Sequence, residues 1–143
     1  MRPGGHLALL WGDGPADGHE PWQQTLKVVM QRWQHRNGAD QRIPPGYSAA
    51  RRDRPDAEVL SAAGFDLTGT VGASVGRAWT LDEIRGFLAA TSVLSPIALG
   101  DRAGQFDADL RESLRSCQPD GRFWQDVTFK CELARVSPPG STG

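Results

Sequence analysis

Three histidines, two cysteines and one adjacent carboxylate pair are the residues of this 143-residue chain that could do catalytic or metal chemistry, and their spacing argues against most of it. His6, His19 and His35 fall in a strand-like run, a turn-rich segment and a helix end, so they lack metal-ligand spacing and read as solvated or internally satisfied. Cys117 and Cys131 are too few for a disulfide framework and have no second ligand pair beside them. Asp82-Glu83 looks like an acid–base pair, but it sits in Thr80-Leu81-Asp82-Glu83, a capping box. There the Thr80 hydroxyl accepts from the Glu83 N–H, the Glu83 carboxylate accepts from the Thr80 N–H, and Asp82 suits the first helical turn. Gly12-Asp13-Gly14 follows an apolar run, as a phosphate or nucleoside cradle would, yet Pro15, Gly18 and Pro21 intervene before any helix N-terminus. The cluster Arg51-Arg52-Asp53-Arg54 reads as solvated surface rather than as an anion grip. What remains is a rim. Ligands of open α/β sheets gather beyond the carboxyl ends of strands, which directs attention to Trp11, Asp13 and the loop leading to Trp22.

Those residues need elements to position them. Leu7-Ala8-Leu9-Leu10 is apolar on both alternating faces, which predicts a strand covered on both sides, the usual condition of a parallel sheet. Gly12 to Gly18 is a loop. Pro21 opens a helix in which Trp22, Leu26, Val29, Met30 and Trp33 draw one apolar stripe, with Asn37-Gly38 as an αL-type cap. Ala39 to Arg54 has no period and reads as a long surface excursion. Asp56 caps a short helix carrying Val59, Leu60 and Ala63 and ending at Gly64.

A strand is expected over Phe65 to Val75, with Phe65, Leu67, Val71, Ala73 and Val75 on one side; Gly69, Gly72 and Gly76 point to a bulge or a close backbone approach. The capping box starts a helix that buries Leu81, Ile84, Phe87 and Leu88 and runs to about Ser92. Pro96 is expected to keep the next stretch out of helix, and Phe106, Leu110 and Leu114 mark another helix ending near Cys117. Pro119-Asp120-Gly121 turns into Phe123 to Val136, a period-two strand. Phe123, Val127, Phe129, Cys131 and Leu133 share one face of it, while Asp126, Thr128, Lys130 and Glu132 share a thinly covered other face. Residues 137–143 have the composition of a disordered tail.

The order of elements is α/β, with a three-stranded sheet, four helices and a last strand antiparallel to its predecessor. A hydrophobic content of 38% supports one compact domain over residues 1–136. A net charge of -1, from 16 basic and 17 acidic residues, gives no footprint for nucleic acid or an anionic membrane. With no 18-residue apolar run, no signal-peptide pattern and few cysteines, the expectation is a cytoplasmic chain.

Four segments carry a family likeness. Arg2-Pro3-Gly4-Gly5 running into His6 to Trp11 resembles the Pro-Gly-Gly entry to the fifth strand of class I S-adenosylmethionine-dependent methyltransferases. Val59-Leu60-Ser61-Ala62-Ala63-Gly64-Phe65 is similar to the segment before their sixth strand. Trp79-Thr80-Leu81-Asp82-Glu83-Ile84 through Phe87-Leu88 to Thr91-Ser92 resembles a stretch of the trans-aconitate-methyltransferase-like, small-molecule subgroup. Asp120-Gly121-Arg122 leading into the last strand is like the final hairpin.

The resemblance implies a partial Rossmann-like fold holding the fifth to seventh strands, with Trp11, Asp13, Trp22, Trp79 and Ser92 as candidate walls of a pocket for a small-molecule methyl acceptor. It implies S-adenosylmethionine as cofactor. The family's main cofactor motifs, a glycine loop and acidic residue on earlier strands, have no counterpart here, so no cofactor-binding, catalytic or metal residue is nominated. The corresponding N-terminal half is expected to lie before Met1, beyond a truncation or a mis-set start codon; a homo-oligomer, or an interaction module pairing through an open strand edge, is the other expectation.

Overall fold

The computed structural model describes residues 4–41 and 56–137. Among them are three strands, β1 (His6–Gly12), β2 (Phe65–Thr80) and β3 (Arg122–Val136), and helices α1 (Pro21–Arg36), α2 (Asp56–Ala62), α3 (Leu81–Ala89), α4 (Pro96–Leu99) and α5 (Ala103–Cys117). The fold is mixed α/β: four longer helices, one single-turn helix, and a three-stranded antiparallel sheet in the order β1-β3-β2. The Arg51 to Arg54 cluster and residues 138–143 of the tail lie outside the described residues. Ser137 is described, and its N–H donates to the Gly64 carbonyl at 2.9 Å. No helix among the described residues is long and apolar enough to cross a membrane.

The chain divides into two compact units, and β2 and β3 each contribute one end to both. The helical unit contains Asp13 to Gln41, the end of β2, α3 to α5, and β3 as far as Val127. Its core is the predicted stripe of α1 packed with the predicted faces of α3 and α5: Trp22, Leu26, Val29 and Trp33 with Leu81, Ile84, Leu88, Phe106, Leu110, Leu114 and Phe123. Trp33 meets Phe106 edge-on at 5.6 Å, and its Nε1–H donates to Asp109 at 2.6 Å. Both halves of the Thr80 capping box are formed, with Glu83 N–H to Thr80 Oγ1 at 3.2 Å and Thr80 N–H to Glu83 Oε2 at 2.7 Å. The Thr80 N–H bond, then its hydroxyl, holds the Glu83 carboxyl below the usual range, with Arg77 adding to the effect. Asp82, Arg85, Asp107 and Arg111 close a ring of ion pairs between α3 and α5. Asp107, hydrogen-bonded to Arg111, pushes that guanidinium upward.

Several expectations change in this unit. Pro21 opens α1 as expected, behind Glu20 as N-cap, whose N–H is accepted by Gln23 Oε1 at 3.2 Å, and Gly38 beyond the helix takes φ +63°, the expected αL cap. Ala39–Gln41 is a 3₁₀ turn with Ala39 fully buried, not surface excursion. Helix α3 stops at Ala89 instead of reaching Ser92, and Phe87 is partly exposed. Pro96 starts a helical turn instead of preventing one, because the first helical position needs no N–H; Ser95 caps it by accepting from Ala98 N–H at 3.2 Å.

The sheet unit holds β1, α2, β2 up to Ser74 and β3 from Thr128. β1 is not a strand covered on both sides in a parallel sheet. It pairs antiparallel with β3, from His6↔Arg135 to Gly12↔Phe129, and its residues alternate between exposed and half-buried. The apolar face of β2 is also open, since Leu67 and Val71 are exposed, and β2 continues beyond Val75 to Thr80. Gly69 and Gly72 show no tight approach, but a side chain on Gly76, in the helical unit, would run into the Trp124 ring. In α2, Leu60 is buried whereas Val59 is exposed, as is Ala63 just beyond the helix.

β3 shows why these expectations shift. Phe123, Gln125 and Val127 are buried in the helical unit, as the odd-numbered face predicts. In the sheet unit the burial moves to Glu132 and Ala134, while Phe129 and Leu133 are exposed. The polar face expected to be thinly covered is therefore the covered one there.

Candidate functional site

The loop Asp13 to Glu20 and the start of α1 enclose a polar cleft of about 540 Å³, lined by Asp13, Asp17, His19, Glu20, Gln23 and Lys27 with Gln125 and Asp126 of β3. All of it belongs to the helical unit. Its framework is a pair of buried glutamines. Gln125 accepts from Trp79 Nε1–H at 2.8 Å and donates from Nε2 to the Gly14 carbonyl at 2.8 Å. Gln23 donates from Nε2 to the Pro15 carbonyl at 3.2 Å. Each thus ties the loop's backbone to a regular element, which satisfies a buried amide and fixes the loop at the same time.

The rim is mainly acidic. Asp17 is engaged within the loop, where its carboxylate accepts from the Gly14 N–H at 2.8 Å, and Lys27 donates to the Gly18 carbonyl at 3.2 Å. Asp13, Glu20 and Asp126 complete the carboxylates around the opening, against the Lys27 ammonium and the His19 ring. Such a surface suits a small polar molecule held by hydrogen bonds rather than an apolar one.

The five residues named from sequence do not converge. Asp13 alone lines the cleft. Trp22 is buried in the core, its ring 5.4 Å from Phe123 and its Nε1–H donating to the Trp124 carbonyl at 3.0 Å, and it does not line this cleft. Trp79 is buried beneath the Arg77 guanidinium, 3.6 Å from its ring centroid, and serves the cleft through Gln125. Ser92 is exposed in the turn after α3. Trp11 belongs to the sheet unit, where the Lys130 ammonium lies 5.1 Å from its ring centroid and 2.6 Å from Glu132.

Sequence reasoning missed Gln23 and Gln125. The available signal was a polar residue in an otherwise apolar register: Gln23 follows Trp22 at the start of the stripe, and Gln125 lies between Phe123 and Val127. Such positions are filled by polar residues only when partners await them. Compared with known proteins, the chain matches no protein-family model and no curated protein.

Proposed function

We propose that this chain is the acceptor-side part of a S-adenosylmethionine-dependent methyltransferase acting on a small molecule. The observation that carries the reading is the polar cleft formed by the loop after β1, the rim that faces the methyl acceptor in the family the sequence resembles. Further support comes from the antiparallel last strand and from the formed capping box in the family-like stretch at Trp79 to Ser92.

The methyl donor does not fit the residues present. The Gly14 N–H is turned onto Asp17, and the Gly18 carbonyl is taken by Gln24 and Lys27, so the loop offers a nucleoside no open backbone cradle. The work left to this chain is to bind and orient an acceptor, which in methyl transfer supplies much of the rate through positioning and desolvation. Calorimetric titration of the purified chain with S-adenosylmethionine is expected to give no or very weak binding. Micromolar affinity would contradict the assignment of donor binding to elements outside it. A panel of small polar acceptors titrated in the same way should include binders that Gln125→Leu weakens, and a panel with none contradicts the acceptor role of the cleft.

A second reading rests on β1, which is hydrogen-bonded to β3 alone among the described residues. An apolar strand with one open edge is suited to accept another strand, as a non-catalytic interaction module would.

A further inference from the structure

We infer that β1 is a homotypic edge through which two copies of this chain join their sheets antiparallel. The inference rests on the open-edge reading above and names the partner. Edges that must stay single are blunted by charge, proline or a bulge. His6-Leu7-Ala8-Leu9-Leu10-Trp11-Gly12 contains no Asp, Glu, Lys, Arg or Pro, and its register with β3 runs from end to end without a skipped residue. Leu10 is 75% exposed, on the outward-alternating face of the strand.

The sequence of this strand is complementary to itself. Pairing about a two-fold axis at Leu9 sets Leu9 against Leu9, Ala8 against Leu10, Leu7 against Trp11, and His6 against Gly12 of the second copy. Every apolar residue meets an apolar one, on both faces of the joined sheet. The two His6 side chains lie at opposite ends of the seam, about 20 Å apart for a strand of this length, so their protonation brings no like charges together. An isologous contact of this kind needs one patch only, and this chain supplies it. The same face continues into β3, where Phe129 and Leu133 flank Cys131, the partner of Leu10, and are 48% and 40% exposed. Joining two copies brings these separate apolar patches into one band across the seam.

Light scattering after size exclusion, over a concentration series, should show the mass doubling, with exchange slowing at the alternate β1 amides that do not bond to β3 as the dimer forms. Leu10→Lys places a charge at the seam at an already exposed site. It should raise the dimer dissociation constant about tenfold or more while leaving circular dichroism unchanged. Ile97→Lys, at the 95% exposed position of α4, should leave the dimer intact. A monomer at every concentration, with fast exchange at the β1 amides that do not bond to β3, overturns pairing with a second copy but leaves the open edge standing. A monomer in which the alternate β1 amides that do not bond to β3 are also protected at all dilutions overturns both. A dimer that survives Leu10→Lys places the interface elsewhere and overturns the inference.

Discussion

One strand, β3, passes through both units and is treated differently by each. In the helical unit its odd residues meet the helices, and Phe123 is fully buried beside Trp22. In the sheet unit the same odd face leaves Phe129 and Leu133 in solvent, while the even residue Glu132 is covered and one of its carboxylate oxygens has no hydrogen-bond partner. Period-two alternation fixes which residues share a face, but what packs on that face decides whether burial is favourable. The helical unit contains its own covering layer. Among the described residues, the sheet unit exposes an apolar face and an apolar edge.

The sharpest way to break this contrast is to truncate the same residue type at both ends of β3. Phe123→Ala should cost about 3–5 kcal/mol in urea unfolding, as removal of a fully buried aromatic does, whereas Phe129→Ala should cost under about 1 kcal/mol. Equal losses would mean that Phe129 is buried in solution and that the sheet unit is closed. Next in size is Gln125→Leu, which leaves the Trp79 Nε1–H and the Gly14 carbonyl without their partner; about 1–3 kcal/mol is expected for each orphaned group that water cannot reach. An unchanged melting curve would remove Gln125 from the framework of the cleft.

Smaller effects test the ends of the helices. Thr80→Ala should cost about 1 kcal/mol by removing the cap. Because the folded-state carboxyl of Glu83 is held low, its contribution is full above the unfolded glutamate value of about 4.3 and is lost as pH falls through the lower folded value. The stability gap between wild type and Glu83→Gln should therefore be widest near neutrality and close in acid; a gap independent of pH contradicts the bond to Thr80. Smallest of all, Asp107→Asn opens the ring of ion pairs between α3 and α5 and should cost under about 1 kcal/mol at low salt, and less as salt is added.

The helical unit was largely legible in the sequence. The stripe of α1, the capping box at Thr80 and the four-residue spacing of Phe106, Leu110 and Leu114 are local signals, and local signals survive into the fold when a matching face lies nearby. β1 was misread because a continuous apolar run signals apolar faces without stating that anything covers them. The site was less legible. Trp22 and Trp79 attracted attention as large aromatics near a strand end, yet both are packed, and the polar framework falls to Gln23 and Gln125. Hydrogen bonds between residues distant in sequence, such as Gln125 to Gly14, leave no periodic trace.

The acceptor role of the cleft is tested most directly by amide chemical-shift mapping of the labelled chain during titration with a small polar molecule that binds it. Shifts are predicted at Asp13 to Glu20, Gln23, Gln125 and Asp126, with none on adding S-adenosylmethionine. Shifts confined to the sheet unit, or a cleft perturbed by the methyl donor alone, would contradict the account.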